Sequence, residues 1–228
     1  MRYALDMSNE RQFFDTSGDE RVRGFLHEPA VANGDCLILT HGAGADCKAL
    51  LLVALAECFY LSGWTVLRCD LPFRQERPHG PPPRGSAERD QNGLRAAVAS
   101  MQRQTPGCIF LGGHSYGGRQ ASMLAAAKPD LVERLLLLSY PLHPPQRPGE
   151  LRTAHFPSLQ TPALFVQGTK DGFGSIAEIE AALKLISART ELLPVTGAGH
   201  ELALKKNRAE VAQTIATAFQ RFVDYKAA

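Results

Sequence analysis

What this chain lacks narrows it before any motif does. No apolar run in its 228 residues approaches the roughly 20 that a membrane span needs. It carries little excess charge, since 25 Lys and Arg against 23 Asp and Glu leave +2. That balance offers no broad argument for nucleic acid or an anionic membrane as partner. There is no Cys-x-x-Cys pair, and the cysteines number five, an odd count. Cys36, Cys47, Cys58 and Cys69 recur every eleven residues, but on a strand, a loop or helix start, a helix and a strand end. Ligands for one metal ion would not be spread so, and buried reduced thiols are expected instead. The start Met1-Arg2-Tyr3-Ala4-Leu5-Asp6 is too polar and too soon charged for a signal peptide, so the cytoplasm is the expected address. The length suits one domain spanning 1–228, with a core large enough to need no staples.

What is present centres on Gly112-Gly113-His114-Ser115-Tyr116-Gly117-Gly118, a G-x-S-x-G pattern directly after the apolar run Cys108 to Leu111. A helix-compatible stretch, Arg119 to Lys128, follows. Strand, sharp turn and helix together predict a nucleophile elbow that strains the Ser115 backbone and needs glycine at Gly113 and Gly117. A serine hydroxyl is a poor nucleophile without a base and a group to orient that base. Two further strand ends supply them in the order Ser, Asp, His. Ala163 to Gln167 runs into Gly168-Thr169-Lys170-Asp171, and Leu192 to Val195 runs into Gly197-Ala198-Gly199-His200. The expected catalytic residues are therefore Ser115, Asp171 and His200.

Other candidates fail on position. His114 precedes the nucleophile and is turned away by the elbow; His41 is expected to hold its own loop. His143 and His155 lie in a Pro-rich connection, and Asp70 precedes the serine in the chain. The oxyanion hole is expected from the backbone N–H groups of Tyr116 and of Ala43, in the loop His41-Gly42-Ala43-Gly44 after the strand Asp35 to Thr40. No metal and no organic cofactor is required by such chemistry, and the expected partner is a small-molecule acyl substrate.

Periodicity predicts the rest of the architecture. Strands are expected at Arg11–Thr16, Val22–Glu28, Asp35–Thr40, Thr65–Cys69, Cys108–Leu111, Leu135–Leu138, Ala163–Gln167 and Thr190–Pro194. Helices are expected at Cys47–Leu61, Ala87–Arg103, Arg119–Lys128, Ser175–Ser187 and Asn207–Val223. The alternation implies an α/β fold of three layers, a mainly parallel sheet of about eight strands covered on both faces, with an antiparallel start. No large cap domain fits, because the connection Ser139 to Thr161 is short and rich in proline. It and Asp70 to Ser86 are expected to wall an open, shallow site. The second of these is basic (Arg74, Arg77, Arg84 and His79, with Arg68 and Arg89 beside it), read either as arginines paired with Glu76, Glu88 and Asp90 or as recognition of an acidic group. Arg119 is expected to pair with a carboxylate of the fold or to line the site.

These residues, with Ser139 to Pro145, Arg152-Thr153-Ala154-His155 and Gln167 to Asp171, give a chain that resembles the α/β-hydrolases of the compact sort related to dienelactone hydrolases. They further resemble a small bacterial group whose animal relatives include a subunit of the non-specific-lethal chromatin complex and a testis-expressed protein. The resemblance runs from about Arg21 to Val223. It implies an α/β-hydrolase fold and a serine-type site acting on esters, thioesters or amides. Dienelactone hydrolases proper use a Cys nucleophile, so their lactone substrate is not implied where Ser115 stands. A catalytically quiet scaffold that binds a protein or ligand is the alternative, and acyl transfer to an acceptor other than water is the enzymatic one.

Overall fold

A computed structural model describes residues 10–225. The N-terminal segment Met1 to Asp6 lies outside them. Eight strands form a single sheet: β1 (Glu10–Asp15), β2 (Val22–His27), β3 (Cys36–Thr40), β4 (Thr65–Cys69), β5 (Ile109–His114), β6 (Leu135–Leu138), β7 (Ala163–Gly168) and β8 (Thr190–Val195). Their order across the sheet is β1-β2-β4-β3-β5-β6-β7-β8. The pairs β1/β2 and β2/β4 are antiparallel, and every other pair is parallel. Six helices cover it: α1 (Leu50–Leu61), α2 (Pro72–Glu76), α3 (Ala87–Gln102), α4 (Tyr116–Ala127), α5 (Ile176–Leu183) and α6 (Arg208–Asp224).

Strand alternation splits the core in two. On β5, Ile109 and Leu111 face the cluster under α3, α4 and α5, while Phe110 faces the cluster under α1 and α6. The inner strands β3, β4 and β6 are buried along their whole length, as strands covered on both faces must be. β8 sits at the edge, and Glu191 and Pro194 suit a strand that pairs on one side only.

The elements differ from expectation where local chemistry competes with pattern. The first turn of the predicted α1 is loop, because Asp46 accepts the Lys48 amide at 2.8 Å and sets a turn before Leu50. α4 begins at Tyr116 rather than Arg119, and β5 runs on through Gly112-Gly113, since these glycines serve close approach rather than interrupting the elements. α5 is shorter than expected, starting on a Ser175/Glu178 capping box and tightening into i→i+3 bonds at Leu185 and Ile186. α2 was not expected at all; Pro72 starts it instead of preventing it. Between β6 and β7 there is only a 3-10 turn, Phe156–Ser158, and no cap domain.

Cys36, Cys47 and Cys69 are buried, but Cys58 is half-buried and Cys108 exposed. Among the described residues, no group of three His, Cys, Asp or Glu is arranged to hold a metal ion, and no helix is long and apolar enough to cross a membrane.

Candidate active site

The site lies at the carboxyl ends of β3 and β5, which are neighbours although β4 comes between them in the chain. Open α/β sheets form crevices at such switch points. Ser115 caps α4 with φ 50° and ψ −115°, a strained conformation for a residue with a Cβ. The turn closes only because its neighbours are bare. A Cβ on Gly113 would meet the Gly118 nitrogen at 2.6 Å, and one on Gly117 the His41 carbonyl oxygen at 2.5 Å.

His200 Nε2 lies 2.8 Å from Ser115 Oγ, and His200 Nδ1 lies 2.9 and 3.1 Å from the two Asp171 oxygens. An ionised carboxylate can only accept, so Nδ1 carries the proton and Nε2 is free to accept from the serine hydroxyl. Asp171 is buried and is held by two more donors, the Phe173 amide at 2.9 Å on Oδ1 and Gln167 Nε2 at 3.0 Å on Oδ2. The Phe173 ring lies over the His200 ring at 4.2 Å. The His200 carbonyl is gripped from below by Ser139 Oγ at 2.6 Å and His114 Nε2 at 2.8 Å. Sequence reasoning missed Gln167, Ser139 and Phe173 as positioning groups. The signals were an amide at the end of an apolar strand and, at Ser139, a hydroxyl directly after another.

The loop after β3 comes beside the elbow. Neither the Ala43 nor the Tyr116 amide donates to another described residue, and both residues line the cavity at Ser115. The loop is fixed from behind. His41, fully buried, donates from Nδ1 to the Gly42 carbonyl at 2.8 Å and accepts the Leu71 amide on Nε2 at 3.1 Å. Arg74, 3 % exposed, donates to the carbonyls of Ala43 (2.7 Å), Ala45 (2.7 Å), Arg77 (2.9 Å) and Gly80 (2.9 Å). Tyr116 is tied down by its hydroxyl, 2.7 Å from the buried Asp90, which also accepts the Phe73 amide.

Two expectations about the surroundings are corrected. The basic connection Asp70 to Ser86 does not line the cavity; it packs behind the loop His41 to Gly44 through Arg74 and Leu71. Its arginines pair as expected only in part, through Arg89 and Glu76. Arg68 is buried against Glu10, His27 and the Cys47 carbonyl, Arg89 pairs with Glu20 and Glu76, and Asp90 serves Tyr116. The cavity, about 960 Å³, is walled instead by Leu50 to Leu52 of α1, by Pro141 and Arg152, and by Ala203 to Lys205. The remaining histidines stand away from Ser115: His143 faces Glu178 and His155 bonds Ser122 Oγ at 2.8 Å.

Burial lowers the pKa of His27 to about 4, helped by the Arg68 charge, and that of His155 to about 4, helped by Arg119. His41 and His114 are lowered in the same direction, by burial first. Between pH 6.5 and about 4 the unfolded chain therefore binds more protons than the folded one. Their stabilisation is complete above the upper value and is lost as pH falls through this window. The urea midpoint should drop steadily from pH 7 toward pH 4, and His27→Gln, which keeps an acceptor for Arg68 Nε, should flatten that slope. A midpoint independent of pH across the window would contradict these assignments.

Against known proteins, the family model described as an alpha/beta hydrolase domain matches residues 33–226. Among solved structures, an alpha-beta serine hydrolase homologue from Coxiella burnetii superposes with a TM-score of 0.75 at 17 % identity, covering 91 % of this chain and 96 % of that one. A dienelactone hydrolase from Anabaena variabilis gives 0.74 at 21 % identity, covering 93 % and 98 %. A lidless a/b serine hydrolase from Xanthomonas campestris gives 0.75 at 16 % identity, covering 96 % and 98 %. At such identities the superpositions speak for the fold, while the family model spans most of the sequence. The chain belongs to the alpha/beta hydrolase domain family.

Proposed function

We propose that this protein is a serine hydrolase acting on carboxylic ester bonds, with thioesters and amides as related substrates, through an acyl-enzyme. The reading rests on one observation above all, the continuous hydrogen-bonded line from Ser115 Oγ through His200 to the buried Asp171 carboxylate. Ser115 Oγ forms a bond to the acyl carbon while its proton passes to His200 Nε2. Asp171 holds the Nδ1–H tautomer and balances the imidazolium. The amides of Ala43 and Tyr116 receive the developing oxyanion. The bond to the leaving oxygen then breaks, and the proton on Nε2 goes to that oxygen. Water repeats the sequence: His200 takes its proton, its oxygen bonds the acyl carbon, and Ser115 Oγ leaves with the proton returned. No metal or organic cofactor enters the scheme. One domain over residues 1–228, a cytoplasmic address and a small-molecule substrate complete the proposal.

The test is hydrolysis of p-nitrophenyl esters of increasing acyl length by the wild type and by Ser115→Ala. Turnover by the wild type and a loss of at least about 10⁴-fold in kcat in the variant are expected. Equal rates in the two proteins would end the proposal. No turnover of any ester by folded wild type would favour a binding scaffold on the same fold.

A further inference from the structure

Arg119 and Arg152 stand out on the cavity wall. Arg119 lies one helical turn after Ser115, its amide bonded to the Ser115 carbonyl at 2.9 Å. Its Nε is buried and has no hydrogen-bond partner among the described residues. Arg152 comes from the connection between β6 and β7 and spends one N–H on the Pro141 carbonyl at 3.2 Å. Neither makes an ion pair with any described residue, although Arg23, Arg68, Arg89, Arg103 and Arg147 all do.

The groups packed closest to Arg119 are neutral, and the one acid near Arg152 is engaged elsewhere. Tyr140, fully buried, has its hydroxyl beside Arg119 and donates it to the Arg152 carbonyl at 2.7 Å. His155 is kept neutral by burial and by Arg119 itself, and is occupied with Ser122. The acid near Arg152, Glu150, is engaged with Arg147 at 2.8 Å. Burial, followed by the Arg119 charge, lowers the pKa of Arg152. Two guanidinium groups thus share a partly buried wall with no counter-ion, an arrangement that costs folding energy unless a ligand supplies the missing charge. Lys205 and Arg208, also without an ion pair among the described residues, add positive charge to the rim, where Glu201 is the lone carboxylate.

We propose that Arg119 and Arg152 form an anion subsite, so that the substrate carries a carboxylate or phosphate beside the ester bond presented to Ser115. The inference rests on the serine-hydrolase reading and names the substrate class for it. Guanidinium binds either oxyanion through paired N–H donors, and a partly buried pair of this kind gives discrimination of about 10–100-fold over a neutral isostere.

The experiment measures kcat/KM for matched p-nitrophenyl esters whose acyl chain ends in methyl, carboxylate or phosphate. A fourth ester carries the carboxylate on the aryl leaving group. At least one charged ester should exceed its neutral match by about tenfold or more. That ratio should fall to about one in Arg119→Gln and in Arg152→Gln, and should persist in Arg221→Gln, which removes one positive charge at the far end of α6. A structural arginine would depress neutral and charged esters together and leave the ratio unchanged, and two separate variants guard against one failing to fold. If the neutral ester is cleaved and no charged ester surpasses it, the subsite is refuted and the hydrolase reading stands. If no ester is cleaved and folded protein takes up no neutral fluorophosphonate, the hydrolase reading fails and the subsite falls with it.

Discussion

Asp171→Asn is expected to lower kcat for ester hydrolysis by about 10⁴-fold while the protein stays folded. Three donors converge on the two Asp171 oxygens: the Phe173 amide on Oδ1, Gln167 Nε2 on Oδ2, and His200 Nδ1 across both. An asparagine offers one oxygen and one NH₂ group to that set. If the NH₂ faces His200, it donates to Nδ1 and drives the proton to Nε2, where the imidazole can no longer accept from Ser115. If it faces Phe173 or Gln167, two donors oppose each other inside a buried pocket. The first arrangement loses the tautomer the mechanism needs and the second weakens the hold on His200 through the clash, so the change falls on kcat more than on KM. Steady-state kinetics beside a thermal melt separates this from unfolding. A variant within threefold of wild type would remove Asp171 from the account.

Arg74→Ala is the second large effect, with kcat reduced by about 10²–10³-fold, the cost of losing one oxyanion donor. Arg74 never touches the cavity; it acts through the loop. Its guanidinium holds the carbonyls of Ala43 and Ala45 on one side and of Arg77 and Gly80 on the other. Removing it leaves a cavity behind the loop and takes the donor from four part-buried carbonyls, and a stability loss of about 1–3 kcal/mol is expected with it. Lysine would restore charge without the planar fork, so Arg74→Lys should recover stability better than rate. Arg89→Ala, which breaks only exposed pairs with Glu20 and Glu76, should alter neither much. If Arg74→Ala lost stability with kcat intact, the loop would be held by other means.

Much of this molecule was legible in the chain because the patterns were long and mutually consistent. The runs at Cys36–Thr40 and Leu135–Leu138 are strands because nothing charged interrupts them, Thr65–Cys69 is one in spite of Arg68, and their alternation with helices leaves little choice of layer order. Ser115, Asp171 and His200 were readable as candidates because each follows such a run. What stayed hidden depends on tertiary placement. Pro72 reads as a helix breaker until it is seen at the first position of α2. Arg74 reads as one basic loop residue among several, and only the fold shows it buried with four carbonyl acceptors. Gln167 reads as the polar end of a strand, and its grip on Asp171 depends on where the next loop turns. The basic segment 74–89 looked like a cavity wall because nothing local says which way a loop folds back.

The central claim is that His200 activates Ser115. The direct measurement is intact-mass and peptide-level analysis of the protein after exposure to a neutral fluorophosphonate. One adduct, located on Ser115, abolished in Ser115→Ala and strongly slowed in His200→Ala, is the predicted result. An adduct on another residue, or none on well-folded wild type, would contradict the account.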